Sequence, residues 1–357
     1  MRAERIIVEE EAHRSIEDGP VMPPISHGGD LDDARRLFPD APTPWIDLST
    51  GISPFAYPVP AIAAESWTRL PEAGDLAALC RAAASAYGAE AGEIVAGSGT
   101  QPLMAAVLRL LPPSRAAILG PTYAEHERLC CQAGHRVQHV TMPDQLGEDA
   151  CIAIVVNPNN PTGTLVARTD LLALGRQMAR RDGLLIVDEA FMDSLGDAGQ
   201  SLGGHVDNGA IVVLRSVGKF YGLAGLRLSF ALAARPVAEK LAAAVGPWPV
   251  SGPAIAVGRQ ALADIDWQSE QRARLHEAGR RMDDLLAERG LEPKGVGPLF
   301  RTLRGQSVPA LFESLGCAGI WTRRFAFDPP LLRLGLPSGE MGWRRLREAL
   351  SGFSFKS

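Results

Sequence analysis

The 357-residue sequence predicts an α/β fold, in which a large domain has a mostly parallel sheet sandwiched by helices and a smaller α+β domain lies toward the C-terminus. The first observation is that short runs rich in Val, Ile and Leu alternate with helical segments, as parallel strands joined by crossover helices do. The second is that this alternation stops near Gly252, where a long charged helix and short strands begin. Functional residues of such folds lie at the carboxyl ends of strands.

The elements are expected in the following order along the chain. Helices are expected at residues 31–38, 76–87 and 102–111. The strands of the large sheet are expected, with a helix at 169–181 between them, at residues 116–119, 136–140, 151–156, 184–187, 211–214 and 228–232. The smaller domain is expected to contain a helix at 267–289 and strands at 299–303, 319–322 and 331–334.

Three prolines and a glycine between residues 247 and 253 interrupt the helical periodicity and mark the expected hinge between domains. We therefore divide the chain into an N-terminal arm and segment at residues 1–55, a large domain at 56–250 and a small C-terminal domain at 251–357. Residues 1 to about 24 form a polar arm that ends in prolines.

Composition excludes several classes of function. The chain has 36 basic and 41 acidic residues and no basic stretch interleaved with aromatic residues, which argues against nucleic-acid binding. It has no apolar run of about 18 residues that could cross a membrane, and its first residues lack the apolar core of a signal peptide. The five cysteines show no paired spacing, so we expect reduced thiols and a cytoplasmic protein. His135 and His139 lack further ligands, and no metal site is expected.

One lysine and one aspartate follow predicted strands of the large sheet. Lys219 lies in a small-residue loop after the strand at 211–214, and Asp188 ends the strand at 184–187. Pyridoxal phosphate chemistry needs this pair, because an amine forms the imine with the cofactor aldehyde and a carboxylate keeps the pyridine nitrogen protonated. Ser216 and Arg227 are suitable ligands for the cofactor phosphate.

Four motifs in a fixed order strengthen this interpretation: Asn157 to Gly163, Asp188-Glu189-Ala190, Ser216-x-x-Lys219, and Gly222 to Arg227. With this set, the chain resembles the fold type I, class I/II aminotransferase superfamily of pyridoxal phosphate enzymes, from about residue 27 to about residue 337. The resemblance implies that Lys219 binds the cofactor aldehyde, that Asp188 pairs with the pyridine nitrogen, and that Asn160 donates to the ring hydroxyl oxygen.

The resemblance implies further contacts to cofactor and substrate. The small residues Ser98, Gly99 and Thr100 precede the helix at 102–111, whose N-terminal N–H groups would receive the phosphate together with Ser216 and Arg227. Tyr123 matches the residue that stacks on the pyridine ring. Arg333 matches the arginine that grips the substrate carboxylate, a role that suits its bidentate guanidinium.

Three departures distinguish this chain from a typical aminotransferase. Phe191 replaces a tyrosine that hydrogen-bonds the ring oxygen, Gly218 replaces a serine, and Leu70 replaces a tyrosine that reaches the neighbouring subunit's cofactor phosphate. With the segments His27-Gly28-Gly29 and Trp45 to Pro54, these departures make the chain most similar to the threonine-phosphate decarboxylase branch of cobalamin biosynthesis. In that branch the second segment lies over the active site.

This branch acts on L-threonine O-3-phosphate and releases (R)-1-amino-2-propanol O-2-phosphate. Its doubly anionic substrate requires cationic donors, for which the resemblance and charge indicate His27, Arg323 and Arg333, with Asn160 and Gly51 also at the substrate. Strand alternation places Arg323 and Arg324 on opposite faces, and Arg323 is preferred for the pocket.

Two alternatives stay open at the level of sequence. A histidinol-phosphate-type aminotransferase would use the same residues to remove the Cα proton instead of carbon dioxide. A non-catalytic scaffold or regulatory relative would keep only the fold, although both Lys219 and Asp188 are present. The superfamily also implies a homodimer, with a small phosphorylated amino acid as the other partner.

Overall fold

A computed structural model of the protein describes residues 27–147, 149–196, 200–207 and 209–353. The predicted polar arm at residues 1–24 lies outside the described residues. Within the described part, two apolar clusters cover the two faces of one large sheet, and the larger cluster extends into the C-terminal part of the chain. No helix among these residues is both long and apolar enough to cross a membrane.

The large sheet has seven strands in the order β2-β8-β7-β6-β5-β3-β4. All neighbouring pairs from β4 to β7 are parallel, whereas β8 runs antiparallel to both β7 and β2. The strands are β2 (Ile94–Gly97), β3 (Arg115–Leu119), β4 (Arg136–Val140), β5 (Ala150–Val156), β6 (Leu184–Asp188), β7 (Ile211–Ser216) and β8 (Ser229–Ala233).

The central strands are continuous apolar runs because helices cover both faces of the sheet. Every residue of β6 and β7 is buried. The helices of this part of the chain are α1 (Leu31–Leu37), α2 (Glu65–Thr68), α3 (Ala73–Tyr87), α4 (Thr100–Leu108), α5 (Glu125–Gln132), α6 (Arg168–Ala179) and α7 (Arg235–Val245).

A smaller antiparallel sheet in the C-terminal part has the order β11-β12-β9. A further parallel pair joins β1, near the N-terminal segment, to β10. The elements are β1 (Ile46–Asp47), β9 (Phe300–Arg304), β10 (Ile320–Trp321), β11 (Arg323–Arg324), β12 (Leu331–Gly335), α8 (Gly252–Ala263), α9 (Ile265–Ala287), α10 (Val308–Cys317) and α11 (Gly339–Ser351).

The predicted fold class is confirmed, and the predicted strands lie within about two residues of the observed ones. The helix expected at 102–111 instead begins at Thr100 and ends at Leu108, so it starts directly after the glycine turn. The prediction did not locate β1, β2 or β11, nor helices α2, α5, α7, α8, α10 and α11. Since α8 packs on α3 across the expected hinge, the domain boundary at residue 250 stays a prediction.

Candidate active site

The candidate residues gather at the carboxyl edge of the large sheet. Asp188 is the last residue of β6, Ser216 is the last of β7, and Lys219 follows three residues later. Asn160 follows β5 in the loop that begins at Asn157. Because β5, β6 and β7 are parallel neighbours, their carboxyl ends bring an amide, a carboxylate and an amine to one place.

Lys219 lies in an environment that favours its neutral amine. Burial lowers its pKa, and the nearby Arg333 lowers it further; Asp188 opposes these effects, and the pKa falls from 10.5 to about 8. The ammonium nitrogen lies 5.6 Å from the centre of the Phe191 ring. The site therefore holds a lysine that can act as a nucleophile or carry a proton near neutral pH.

Asp188 has one hydrogen-bond donor and one neighbouring imidazole. One carboxylate oxygen accepts a hydrogen bond from the Ala190 N–H at 3.0 Å, and the other lies 3.1 Å from His126 Nε2. His126 is buried on α5, and its ring stands perpendicular to that of Tyr123 with 5.5 Å between centroids. Sequence reasoning missed His126, which lies in the first turn of α5, three residues after Tyr123 in the preceding loop.

Tyr123 borders the same space. Its hydroxyl accepts a hydrogen bond from Gln101 Nε2 at 3.0 Å, a contact that sequence reasoning also missed. Burial and the neighbouring carboxylate of Glu125 raise the pKa of Tyr123, so the phenol stays protonated at neutral pH.

An anion cradle lies at the N-terminus of α4. Gly99 has a φ of 118°, and a Cβ placed there would lie 2.5 Å from Nη2 of Arg227. The small residue thus lets the guanidinium reach the turn formed by Ser98, Gly99 and Thr100. Ser216 lies on β7, two strands from the end of β2, with β8 between them. N–H groups, a hydroxyl and a cation together suit a phosphate.

Arg333 lies on β12 and is buried, but its hydrogen-bond partners are neutral. Nη1 donates to Asn160 Oδ1 at 2.5 Å, and Nη2 donates to the Ser49 carbonyl oxygen at 2.6 Å. Its Nε has no hydrogen-bond partner among the described residues. The guanidinium is therefore fixed in direction by neutral hydrogen-bond acceptors, and the nearby Asp47 carboxylate interacts with its charge without a hydrogen bond.

Arg323 is paired in register with Arg333 on the neighbouring strand β11, so the two side chains lie on one face. Burial lowers the pKa of Arg333, and the charge of Arg323 lowers it further, to about 10. Arg324 is exposed and its guanidinium lies 4.5 Å from the centre of the Phe312 ring. The two arginines thus face different surroundings, as strand alternation predicts.

His27 lies where the N-terminal segment enters the described structure. Its Nε2 is 3.0 Å from Oε1 of the buried Glu125, a partner that sequence reasoning did not identify. The next two residues dock on Ser49: a Cβ at Gly28 would lie 2.3 Å from the Ser49 carbonyl oxygen, and the Gly29 N–H donates to Ser49 Oγ at 2.7 Å. The His-Gly-Gly segment therefore lies beside the residue that holds Arg333.

Gly51 marks a close approach to two aromatic rings. A Cβ at Gly51 would lie 2.7 Å from Phe191 Cε1 and 3.2 Å from Phe300 Cδ1. The two rings meet edge to face at 5.3 Å, and Arg333 lies 5.2 Å from the centre of the Phe300 ring. We call Phe191 and Phe300 together the apolar wall. Lys219 lies beside the Phe191 ring, and Arg333 lies beside the Phe300 ring.

Leu70 is 66% exposed, so nothing in the described chain covers the position at which a tyrosine was expected from aminotransferases. No group of three or more His, Cys, Asp or Glu among the described residues is arranged to hold a metal ion.

The donor set fits pyridoxal 5'-phosphate. At the Gly99 turn the Arg227 guanidinium lies against the backbone at the N-terminus of α4, and this combination of a cation with N–H groups suits a phosphate. The low pKa of Lys219 provides an amine for the aldehyde, and Asp188 is a buried carboxylate already supported by His126. Fold and site together define a pyridoxal phosphate enzyme of fold type I.

The family model for aminotransferase class I and II matches residues 43–342, and the chain belongs to this family. Its cofactor is pyridoxal 5'-phosphate. The chain is 42% identical over 331 residues to a threonine-phosphate decarboxylase from Pseudomonas aeruginosa, covering 92% of this chain and 98% of that protein.

Two other proteins illustrate the wider family. A histidinol-phosphate aminotransferase from Chromobacterium violaceum is 31% identical over 285 residues, which cover 74% of this chain and 77% of that protein. The crystal structure of histidinol-phosphate aminotransferase from Sinorhizobium meliloti in complex with pyridoxal-5'-phosphate aligns with a TM-score of 0.76 at 19% identity, covering 90% of this chain and 95% of that one. This second likeness concerns the fold.

Proposed function

We propose that this enzyme decarboxylates L-threonine O-3-phosphate to (R)-1-amino-2-propanol O-2-phosphate, the linker precursor of the cobalamin nucleotide loop. The observation that carries the proposal is the pair of neighbouring guanidiniums, Arg323 and Arg333, on one face of the small sheet. Two like charges in a partly buried site repel each other, and this repulsion adds to the effect of burial in lowering the pKa of Arg333. A substrate that carries both a carboxylate and a phosphate relieves this repulsion.

We assign the carboxylate to Arg333 and the phosphate to Arg323 and His27. Asn160 and the Ser49 carbonyl orient Arg333, so that its fork meets the carboxylate in a fixed direction. His27 is 3.0 Å from Glu125, which keeps its imidazole at the rim of the site. Gly51 leaves space for the apolar wall, against which the substrate methyl group would lie.

When bound, pyridoxal 5'-phosphate supplies an aldehyde for the substrate amine and a ring that accepts the electrons left on Cα after carbon dioxide departs. Asp188, which lies beside His126, would hold the proton on the pyridine nitrogen. Ser98, Gly99, Thr100, Ser216 and Arg227 would bind the cofactor phosphate. Tyr123 would stack on the ring, and Asn160 would donate to its hydroxyl oxygen.

Lys219 has two tasks in this proposal. With a pKa of about 8 its neutral amine would be available to the aldehyde, and the amine freed when substrate enters would take up the proton that the substrate ammonium gives up and deliver it from Nζ to Cα. Phe191 of the apolar wall offers no hydroxyl where other family members carry a tyrosine, so on this side the amine faces an aromatic ring, with its nitrogen 5.6 Å from the ring centre.

The test combines purified, cofactor-loaded protein with L-threonine O-3-phosphate and measures carbon dioxide and aminopropanol phosphate by mass spectrometry. Both products are expected in equal amounts, and Lys219→Ala should abolish them. Unphosphorylated L-threonine serves as the matched control, since it lacks the dianion that two arginines require. Absence of both products, with formation of glutamate from 2-oxoglutarate and histidinol phosphate, would establish the aminotransferase alternative.

We also propose a cytoplasmic homodimer. All five cysteines are free thiols, which fits a reducing compartment. Trp67 and Leu70 are exposed to 68% and 66%, and a second subunit would cover such apolar side chains. The division into an N-terminal segment, a large domain and a small domain at residues 55 and 250 is retained as part of this proposal.

A further inference from the structure

One buried amide on α9 contacts both chain segments that border Lys219. Gln271 is 1% exposed. Its Nε2 donates to Ser53 Oγ at 2.7 Å, to the Phe55 carbonyl oxygen at 2.8 Å and to the Phe220 carbonyl oxygen at 3.0 Å. Phe220 directly follows Lys219, while Ser53 and Phe55 belong to the segment predicted to lie over the active site.

The two segments are also joined to each other. The Ser53 N–H donates to the carbonyl oxygen of Lys219 at 3.0 Å, and the Tyr57 N–H donates to the Tyr221 carbonyl oxygen at 2.8 Å. Gly222, with a φ of 67°, lies so close that a Cβ would be 2.8 Å from Ala56 Cα. The Lys219 loop and the 53–57 segment thus pack together as one layer. Gln271, on α9, donates hydrogen bonds to both parts of this layer.

The side-chain amide of Gln271 has two hydrogens and lies within hydrogen-bond distance of three acceptors. Removing it takes a donor away from buried oxygens. Without Gln271, the Phe55 carbonyl oxygen would keep the Ser53 hydroxyl as a donor at 3.1 Å, but the Phe220 carbonyl oxygen would lose its donor from α9, and a buried unsatisfied acceptor is costly. The layer can restore these bonds only by admitting water or by moving. Either change reaches the Lys219 backbone, whose carbonyl oxygen is held by Ser53.

We propose that Gln271 is a positioning residue for Lys219: its amide fixes the lysine loop and the 53–57 segment to α9, and thereby holds the amine dry and aimed at the cofactor. The inference rests on the proposed function only in taking Lys219 as the cofactor lysine. Gln271 itself touches neither cofactor nor substrate.

The same helix offers a matched control. Gln268, one turn earlier, is also buried, and its Nε2 also donates to two backbone carbonyl oxygens, those of Ala261 and Leu262 at 3.1 Å. These acceptors lie at the end of α8, away from Lys219. Gln268→Met therefore removes a comparable set of hydrogen bonds and reports the purely structural cost.

The experiment compares Gln271→Met and Gln268→Met with the full-length parent protein. In cofactor-free protein, the pH dependence of Lys219 acylation is followed by mass spectrometry; in cofactor-loaded protein, the affinity for pyridoxal 5'-phosphate is measured by absorbance. We expect Gln271→Met to raise the acylation midpoint by about one pH unit, because water reaches the amine, and to weaken cofactor binding roughly tenfold. For Gln268→Met we expect parental values in both measurements.

Equal values for the two variants would overturn the proposal, because a structural loss alone would then explain both. If Gln271→Met does not fold, Ser53→Ala replaces it: this variant removes one acceptor of the amide and should shift both quantities in the same direction by a smaller amount. An unchanged midpoint and affinity in Ser53→Ala would likewise refute the role. Neither readout uses a substrate, so a failure of the proposed decarboxylation would be seen separately.

Discussion

Two buried arginines in this protein have opposite environments. Arg215, on β7, is 4% exposed, and its guanidinium donates to the carboxylates of Glu189 and Asp193. Arg333, on β12, is 6% exposed, and its guanidinium donates to an amide oxygen and a carbonyl oxygen, with Arg323 on the neighbouring strand. The two arginines are buried to a similar degree, but only Arg215 donates hydrogen bonds to carboxylates.

The pKa directions express this difference. Burial lowers the pKa of Arg215, but Asp193 and Glu189 more than offset it, so the pKa is raised overall. Burial lowers the pKa of Arg333, and Arg323 adds to the effect. A buried cation with carboxylate partners stabilises the fold around it, whereas a buried cation next to another cation is placed to receive an anion.

The largest effect on stability is expected for Arg215→Met. The variant leaves the carboxylates of Glu189 and Asp193 buried without their cation, which should lower the free energy of unfolding by about 3–5 kcal/mol. Urea denaturation at pH 7 measures the change, and the folded variant should retain kcat within about tenfold. A loss below about 1 kcal/mol would contradict the view that Arg215 is mainly a structural cation.

The complementary variant is Arg333→Met, for which we expect kcat/KM with L-threonine O-3-phosphate to fall roughly 10³-fold, because a buried ion pair to the substrate is lost. The free energy of unfolding should change by less than in Arg215→Met, because this variant leaves no buried carboxylate without a hydrogen-bonded cation. Steady-state kinetics and urea denaturation test the two parts. A large loss of stability would mean that Arg333 supports the fold as Arg215 does.

A smaller effect is expected for Gly51→Ala, because the added methyl group would push the rings of the apolar wall toward Lys219 and Arg333. The added methyl group would meet Phe191 at 2.7 Å, and such overpacking should raise KM roughly tenfold. Gly74→Ala is the matched control, because a Cβ there has no atom within 4 Å. Steady-state kinetics of both variants test this prediction. Equal KM values would show that the apolar wall accommodates the methyl group without weakening substrate binding.

The smallest effect concerns pH. The pKa of Lys219 is about 8, so the neutral amine predominates above this pH and decreases about tenfold per unit below it. Removing the positive charge in Arg333→Met should raise this pKa and slow Lys219 acylation a few-fold at pH 7 in cofactor-free protein. Arg215→Met should leave the rate unchanged. An acylation midpoint near 10.5 in the parent protein would contradict the lowered pKa.

Sequence predicted the parts of the molecule that depend on local pattern. The strands that carry Asp188 and Ser216 are continuous apolar runs, and the residues that follow them form recognisable motifs, so the sheet could be located and candidate cofactor residues could be named at its edge. Helices α7 and α8 were not located, because a stretch of small apolar residues fits several structures until tertiary contacts select one.

The supporting contacts could not be predicted because they join distant segments. His126 contacts Asp188, Glu125 contacts His27, and Gln271 contacts Ser53. The spacing of these residues along the chain does not indicate any of the three contacts. Likewise, strand alternation separated Arg323 from Arg324, but only the register of β11 with β12 shows that Arg323 lies beside Arg333.

The bond from Arg333 to the Ser49 carbonyl oxygen joins residues 284 positions apart. During translation, Ser49 and the lysine loop therefore leave the ribosome long before the arginine that completes the site. A nascent chain can form the central strands of the large sheet first, yet it cannot bind the substrate carboxylate as proposed until β12 has emerged. A prematurely terminated chain would thus be catalytically silent, and it would not consume the phosphorylated substrate.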